Sequence, residues 1–210
     1  MLVAARDLEA ESRRLFDAYG LEAIADGRHP GVGTANMIVP LGDTYLELIT
    51  VVDADEARNN LRSIRVTRAL DQGRTFVTWA ARTEALDALR RGLAAAGRSV
   101  FPIEFGSRVR ADGRLLRWRT MELAPPEEDS CLPFCIQWDV APDDWPGRSA
   151  SYAGDAAMTN VLLGHPDPDA ARRELHELLE TAAGFTVAQA ATPGVTGVEL
   201  VVAGARLTIR

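Results

Sequence analysis

Apolar and polar positions along the chain fall into one order of elements that recurs three times. Val3–Ala5 reads as a short strand and Asp7 as a helix N-cap, followed by Leu8, Leu15, Phe16 and Tyr19 as an apolar stripe that stops at Gly20. The second occurrence opens with the strand-like Thr75–Ala80, continues with Thr83 as cap and Leu86, Leu89 and Leu93 as stripe, and stops at Gly97. In the third, Asn160–Leu163 reads as strand, Asp167 as cap with Pro168 at the first helical position, and Ala171, Leu175, Leu178 and Leu179 as the stripe before Gly184. Alternation predicts later strands in each: Asn36–Pro40 and Asp43–Val51, then Gly113–Leu123 and Pro133–Val140, then Gly197–Val202 and Ala205–Arg210. A gapless overlay sets Tyr45-Leu46-Glu47-Leu48 opposite Arg206-Leu207-Thr208-Ile209.

Such a unit has an apolar sheet face that it cannot cover alone, so units are expected to stack. The fold class expected is α+β, with tandem βαβββ units forming a curved mixed sheet around a cup and helices outside. Residues 1–140 hold two paired units, 141–157 form a linker rich in Pro, Gly and Ser, and 158–210 form the third unit. Between the first two units, Ala54–Gln72 reads as charged and partly helical.

Composition narrows the partners. With 47% hydrophobic and 25% charged residues in 210, the chain is an ordinary globular one. A net charge of -7 repels phosphate backbones and anionic lipid, so neither nucleic acid nor a membrane is an expected partner. No apolar run approaches the roughly 20 residues that cross a bilayer, and no signal-peptide pattern opens the chain, so a cytoplasmic location is expected. Cys131 and Cys135 on an extended stretch stand roughly 13 Å apart, beyond disulfide reach, and read as free thiols.

Several stretches resemble the glyoxalase-like branch of the vicinal-oxygen-chelate superfamily. They are Val3-Ala4-Ala5-Arg6-Asp7-Leu8, Gly27-Arg28-His29-Pro30-Gly31, Gly33-Thr34-Ala35-Asn36, Pro40-Leu41-Gly42-Asp43 with Tyr45-Leu46-Glu47-Leu48, and Leu132-Pro133-Phe134-Cys135-Ile136-Gln137-Trp138-Asp139. The resemblance implies a cup of paired units and, in many members, a divalent metal held by His, Glu or Gln on the strands, activating a substrate through two neighbouring oxygens. Members include isomerases, lyases, dioxygenases, epimerases and non-catalytic binding proteins, so the fold fixes no reaction. The chain departs from the ligand pattern: the opening His would fall at or before Met1, Thr78 and Trp79 stand at the related place in the second unit, and Asn160 in the third. Glu47 and Gln137 are the plausible ligands left, and two oxygen donors without a His hold a divalent ion poorly, which leaves the cofactor unknown.

Glu47 is the first candidate for base or ligand, because alternation puts Tyr45, Glu47 and Ile49 on the face opposite the helix-covered Leu46 and Leu48. Gln137 is expected at the equivalent place of the second unit, where an amide can ligate or orient but not transfer a proton. His29, in a Gly-rich loop, is a candidate acid or base, and Asn36 either orients a carbonyl or closes a turn. Arg108, Arg110, Arg114, Arg117 and Arg119 gather around an Asp112-Gly113 hairpin, with Arg117 and Arg119 on one face as candidate grips for a carboxylate or phosphate. Trp79, Trp118 and Trp138 fall on strands, and Trp79 is a candidate for lining the pocket. Three functions stay open: a lyase or isomerase acting on a small polar molecule with Glu47 as base or metal ligand and His29 assisting, a non-catalytic protein that sequesters a small molecule, and a dimerisation module forming a homodimer with a filled cup.

Overall fold

Asp7 starts the first helix as its position predicts, accepting a hydrogen bond from Ala10 N at 3.0 Å, and Gly20 ends it in the left-handed conformation at φ 68°. The computed structural model describes residues 1–109, 113–148, 156–179 and 184–210. In the first unit β1 (Leu2–Ala4) leads to α1 (Leu8–Tyr19), then β2 (Ile24–His29), β3 (Thr34–Leu41) and β4 (Thr44–Val51). These strands lie in the order β2-β3-β4-β1, and β1 runs parallel to β4 with Leu2 beside Glu47. A connecting segment holds α2 (Ala54–Ala57), α3 (Leu61–Asp71) and β5 (Phe76–Thr78).

The second unit repeats the plan: β6 (Ala80–Arg82), α4 (Leu86–Ala95), β7 (Glu104–Val109), β8 (Leu115–Glu122) and β9 (Phe134–Asp139). Its strands lie in the order β7-β8-β9-β6, with β6 parallel to β9 and Ala80 beside Phe134. The expected strand Thr75–Ala80 is two strands, because β5 joins the first sheet antiparallel to β1 while β6 joins the second. Thr83 does not cap α4; the helix begins after Ala85 with no side-chain cap from its own N-cap residue.

The third unit has β10 (Ala156–His165), α5 (Pro168–Leu178), β11 (Phe185–Gln189), β12 (Gly194–Val202) and β13 (Ala205–Ile209). Its element order matches the first two, but its strand order is β11-β10-β12-β13. At 10 residues β10 is long enough to pair on both sides, parallel to β11 and antiparallel to β12. The overlay of Tyr45–Leu48 on Arg206–Ile209 is therefore no spatial equivalence: β4 is flanked by β3 and β1, whereas β13 is an edge strand. Gly184 is not a helix stop either; it enters β11, where a Cβ would meet Thr159 O at 2.3 Å.

Burial divides along the alternation. The outer faces of the sheets pack with the helices into one cluster that takes Leu15, Leu48, Leu86, Met121, Leu175 and Leu200 from all three units. A smaller cluster of Leu2, Ile49, Val66, Phe134 and Ile136 lies between the first two sheets and forms the floor of the cup. Val66 comes from α3, so the connecting segment is not a solvated spacer. Asn60 caps this helix by accepting from Ser63 N at 3.0 Å, and Ser63 Oγ donates to Val32 O at 2.7 Å, which ties α3 to the β2–β3 turn.

The first part of the expected linker folds back on the first unit: Trp145 Nε1 donates to Gly42 O at 2.9 Å and Gly42 N to Gly147 O at 2.8 Å. Its residues 149–155, like Arg110 and Asp112 of the expected hairpin, lie outside the described residues, and Ala156 and Ala157 already belong to β10. Both cysteines are free and buried, and the Cys131 thiol donates to Gly164 O. Among the described residues no helix is long and apolar enough to cross a membrane.

Candidate functional site

The cup lies between the inner faces of the first two sheets, with α3 across one end. β3 and β4 present Asn36, Tyr45 and Glu47 to it, and the facing strands β8 and β9 present Trp118 and Trp138. At the polar end remains a cavity of about 50 Å³. A water needs roughly 10–15 Å³ on this measure, so the cavity takes a small group, and anything longer extends through the mouth.

Three sequence candidates meet here. Asn36 Nδ2 donates to Glu47 Oε1 at 2.9 Å, which fixes the carboxylate against the wall. Asn36 is 4% exposed, and its Oδ1 is buried without a partner. An unpaired buried acceptor is costly, and a ligand donor or a bound water relieves it. His29 does not sit in an open loop but ends β2 opposite Thr34, buried, with Nδ1 2.8 Å from Thr34 Oγ1. Its ring meets Trp118 edge-on, centroids 5.7 Å apart.

Burial pushes the His29 pKa below its usual 6.5; the Glu47 carboxylate opposes this and the Arg62 guanidinium adds to it. The unfolded imidazole thus takes up a proton before the folded one does. The stability contributed by neutral His29 is present above about pH 6.5 and is lost as pH falls below it through the folded pKa. Urea midpoints measured from about pH 7.5 down to 5 should decline less steeply in His29→Gln than in the parent. Equal slopes would mean that His29 gains its proton as readily folded as unfolded.

The other candidates point away from the cup. Gln137 shares the helix-side face of β9 with Cys135, and its Oε1 accepts from Leu86 N at 3.0 Å and from Arg119 Nη2 at 2.9 Å. It supplies the cap that α4 lacks locally. Arg119 pairs with Asp87 at 2.6 Å, and Arg117 is exposed on the same outer face. These two do share a face opposite Trp118, but that face is the outer one. Trp79, at the break between β5 and β6, is buried in the main core with Nε1 donating to Cys131 O at 2.8 Å and its ring near Phe185. Replacing Gln137 by leucine is therefore expected to lower stability by about 1 kcal/mol, the cost of a lost helix cap, without altering ligand binding. A thermal melt with a parallel binding titration checks this, and weakened binding at unchanged stability would put Gln137 back in the site.

Tyr45 lies on the inward face that alternation predicts, while Arg62, Glu104 and Gly106 gave no sign in the sequence. Tyr45, Trp118 and Trp138 form an aromatic wall of the cup, with Trp118 and Trp138 centroids 5.2 Å apart, and Trp145 packs edge-on against Tyr45 at 5.8 Å. Burial and the nearby Glu47 charge push the Tyr45 phenol well above its usual range, so it stays protonated. Gly106 makes room for this wall, since a Cβ there would stand 2.3 Å from the Trp118 indole. From α3 comes Arg62, and from β7 come Glu104 and Arg108. Burial raises the Glu104 pKa; Arg62 and the hydrogen bond from Leu61 N work against that rise, and the Glu122 charge adds to it.

The register also tests the metal that the resemblance implies. Leu2 lies beside Glu47 in the first unit, and Ala80 beside Phe134 at the matching place in the second. Of these facing positions only Glu47 has a donor atom, and Gln137 is turned outward. Among the described residues no three His, Cys, Asp or Glu side chains are grouped to hold an ion. The strands present do not fit a strand-held divalent metal.

The third unit carries an amide–carboxylate pair of its own, Asn160 Nδ2 donating to Glu199 Oε2 at 3.0 Å, on a part-exposed sheet face. The pair lines a hollow of about 230 Å³ with Thr159, Arg206 and Thr208, formed by the strands of this one sheet rather than between two paired sheets.

Two βαβββ units closed on a polar cup are the arrangement that the sequence resemblance implies. The chain belongs to the glyoxalase-like domain family, whose model matches residues 1–179. No curated protein matches it. A hypothetical protein from Staphylococcus aureus superposes with a TM-score of 0.77 at 13% identity, over 100% of this chain and 96% of that one. A Streptomyces coelicolor methylmalonyl-CoA epimerase, in complex with 2-nitronate-propionyl-CoA, gives 0.49 at 20% identity over 66% of this chain and 94% of its own. The Mycobacterium tuberculosis epimerase gives 0.45 at 16% identity over 68% and 86%.

Proposed function

We propose that the cup binds a small polar molecule bearing a carbonyl group and that Glu47 is the base that acts on it, making the protein an isomerase or lyase. The observation that carries this reading is the Glu47 carboxylate held by Asn36 Nδ2 at 2.9 Å on the wall of a cavity lined by aromatic rings. Glu47 takes a proton from the carbon next to the carbonyl, and the electron pair of that C–H bond moves onto the carbonyl oxygen as an enolate. Return of the proton to the other face or to a neighbouring atom isomerises the molecule; loss of a leaving group from the next carbon, with its electron pair, makes the reaction an elimination. Neutral His29 and the unpaired Asn36 Oδ1 orient the polar groups, and the aromatic wall excludes water around them.

The test is exchange in deuterium oxide. Small 2-hydroxy and 2-keto acids and their esters, incubated with the protein and followed by proton NMR, should include a compound whose proton next to the carbonyl is replaced by deuterium. A panel that binds with no exchange in any member would reject the catalytic reading. It would favour the second one, a non-catalytic protein that sequesters its ligand against Trp118, Trp138 and Tyr45, whose ring faces suit apolar surface.

A further inference from the structure

The helix joining the paired units carries a cation into the cup. Arg62 stands in the first turn of α3, where the helix dipole disfavours positive charge, and its side chain is only 15% exposed. Its guanidinium lies 3.8 Å from the centre of the Phe134 ring, above the residue that the register matches with Glu47. Its contacts there are few. Nη2 reaches Glu122 Oε1 at the long distance of 3.5 Å, and Nε is buried without a partner. Glu122 is already held by Arg65 Nε at 3.1 Å, so a second arginine adds little to its pairing. A guanidinium has about five N–H donors, and among the described residues Arg62 is engaged through one long bond and one ring. Arg62 lines the same cavity as Glu47, His29 and Asn36, and its charge reaches His29, Tyr45 and Glu104.

We infer that Arg62 holds a carboxylate or enolate oxygen of the cup's ligand, supplying from a side chain the positive charge that the strands have no ligand set to hold as a metal ion. This rests on the proposed cup function and adds its charge class: the ligand is a small anion. Asn36 Oδ1, the unpartnered acceptor on the same cavity, accepts a hydroxyl beside that carboxylate, which selects hydroxy acids over simple carboxylates. Glu47 stays free for the C–H bond because Asn36 and Arg62 take the oxygens.

Glycolate and its neutral amide, glycolamide, distinguish the possibilities. Each is titrated into the full chain, treated with EDTA, with tryptophan fluorescence as readout because Trp118 and Trp138 line the cavity. Glycolate should bind at least about tenfold more tightly than glycolamide, as a charge-assisted contact to guanidinium gives, and Arg62→Gln should erase the preference while melting near the parent. Should Arg62→Gln not fold, Arg62→Lys decides: a point charge without the planar fork should reduce the preference by about threefold or more, and an unchanged preference overturns the assignment. Equal binding of the two compounds by the parent, a preference that survives Arg62→Gln, or glycolate binding that EDTA abolishes would each overturn Arg62 as the anion holder while leaving the cup in place. Binding of neither compound up to about 100 mM would remove the cup function itself and this inference with it.

Discussion

Arg65→Ala is expected to destabilise the protein by about 3–5 kcal/mol, a large part of what holds a domain of this size together. Arg65 and Glu122 have side chains 8% and 2% exposed, joined at 3.1 Å. The same guanidinium gives Nη2 to Ala124 O at 2.7 Å and Pro125 O at 2.9 Å, and Nη1 to Glu128 O at 3.3 Å. Truncation would leave the carboxylate with only the distant Arg62 and would strand carbonyls of the turn that follows β8. Urea unfolding followed by circular dichroism measures the loss. The paired replacement Arg65→Met with Glu122→Leu should recover most of it, since both charges are then gone. A single variant within about 1 kcal/mol of the parent would mean that Glu122 is not held as a buried anion.

Glu47→Gln is expected to reduce deuterium exchange into a responsive compound by about 10²–10⁴-fold, the usual worth of a positioned base. The amide keeps an oxygen for Asn36 Nδ2, so melting should be nearly unchanged and the loss should fall on chemistry rather than on folding. Exchange that persists in Glu47→Gln would move the base elsewhere in the cup, with His29 the next residue to replace.

Much of this architecture was written in local pattern. The caps at Asp7 and Asp167 and the alternation of Tyr45, Glu47 and Ile49 against Leu46 and Leu48 identify elements and the inward face of β4, because each depends on neighbours a few residues away. Gln137 was misplaced for a physical reason. β9 alternates Phe134, Ile136 and Trp138 against Cys135, Gln137 and Asp139, and here the apolar set faces the cup while the more polar set meets the helix, the reverse of the arrangement that β4 suggests. Trp79 sits where an unbroken strand-like run changes sheets, and nothing in its own side chain marks that break. The segment 54–72 read only as charged and partly helical, because the carboxylate that draws Arg65 inward lies 57 positions away. The strand order of the third unit was equally hidden, since side-chain periodicity specifies a strand's faces and not its neighbours.

The two amide–carboxylate pairs give the molecule an internal comparison. Asn160 and Glu199 repeat the contact between Asn36 and Glu47 at nearly the same length, but on a part-exposed face of a single sheet. Arg206 lines the same hollow as that pair, but among the described residues no indole does. One pair thus stands on the half-covered face of a single sheet and the other in a gap between two sheets, so the same two side chains differ in how far water is kept from them.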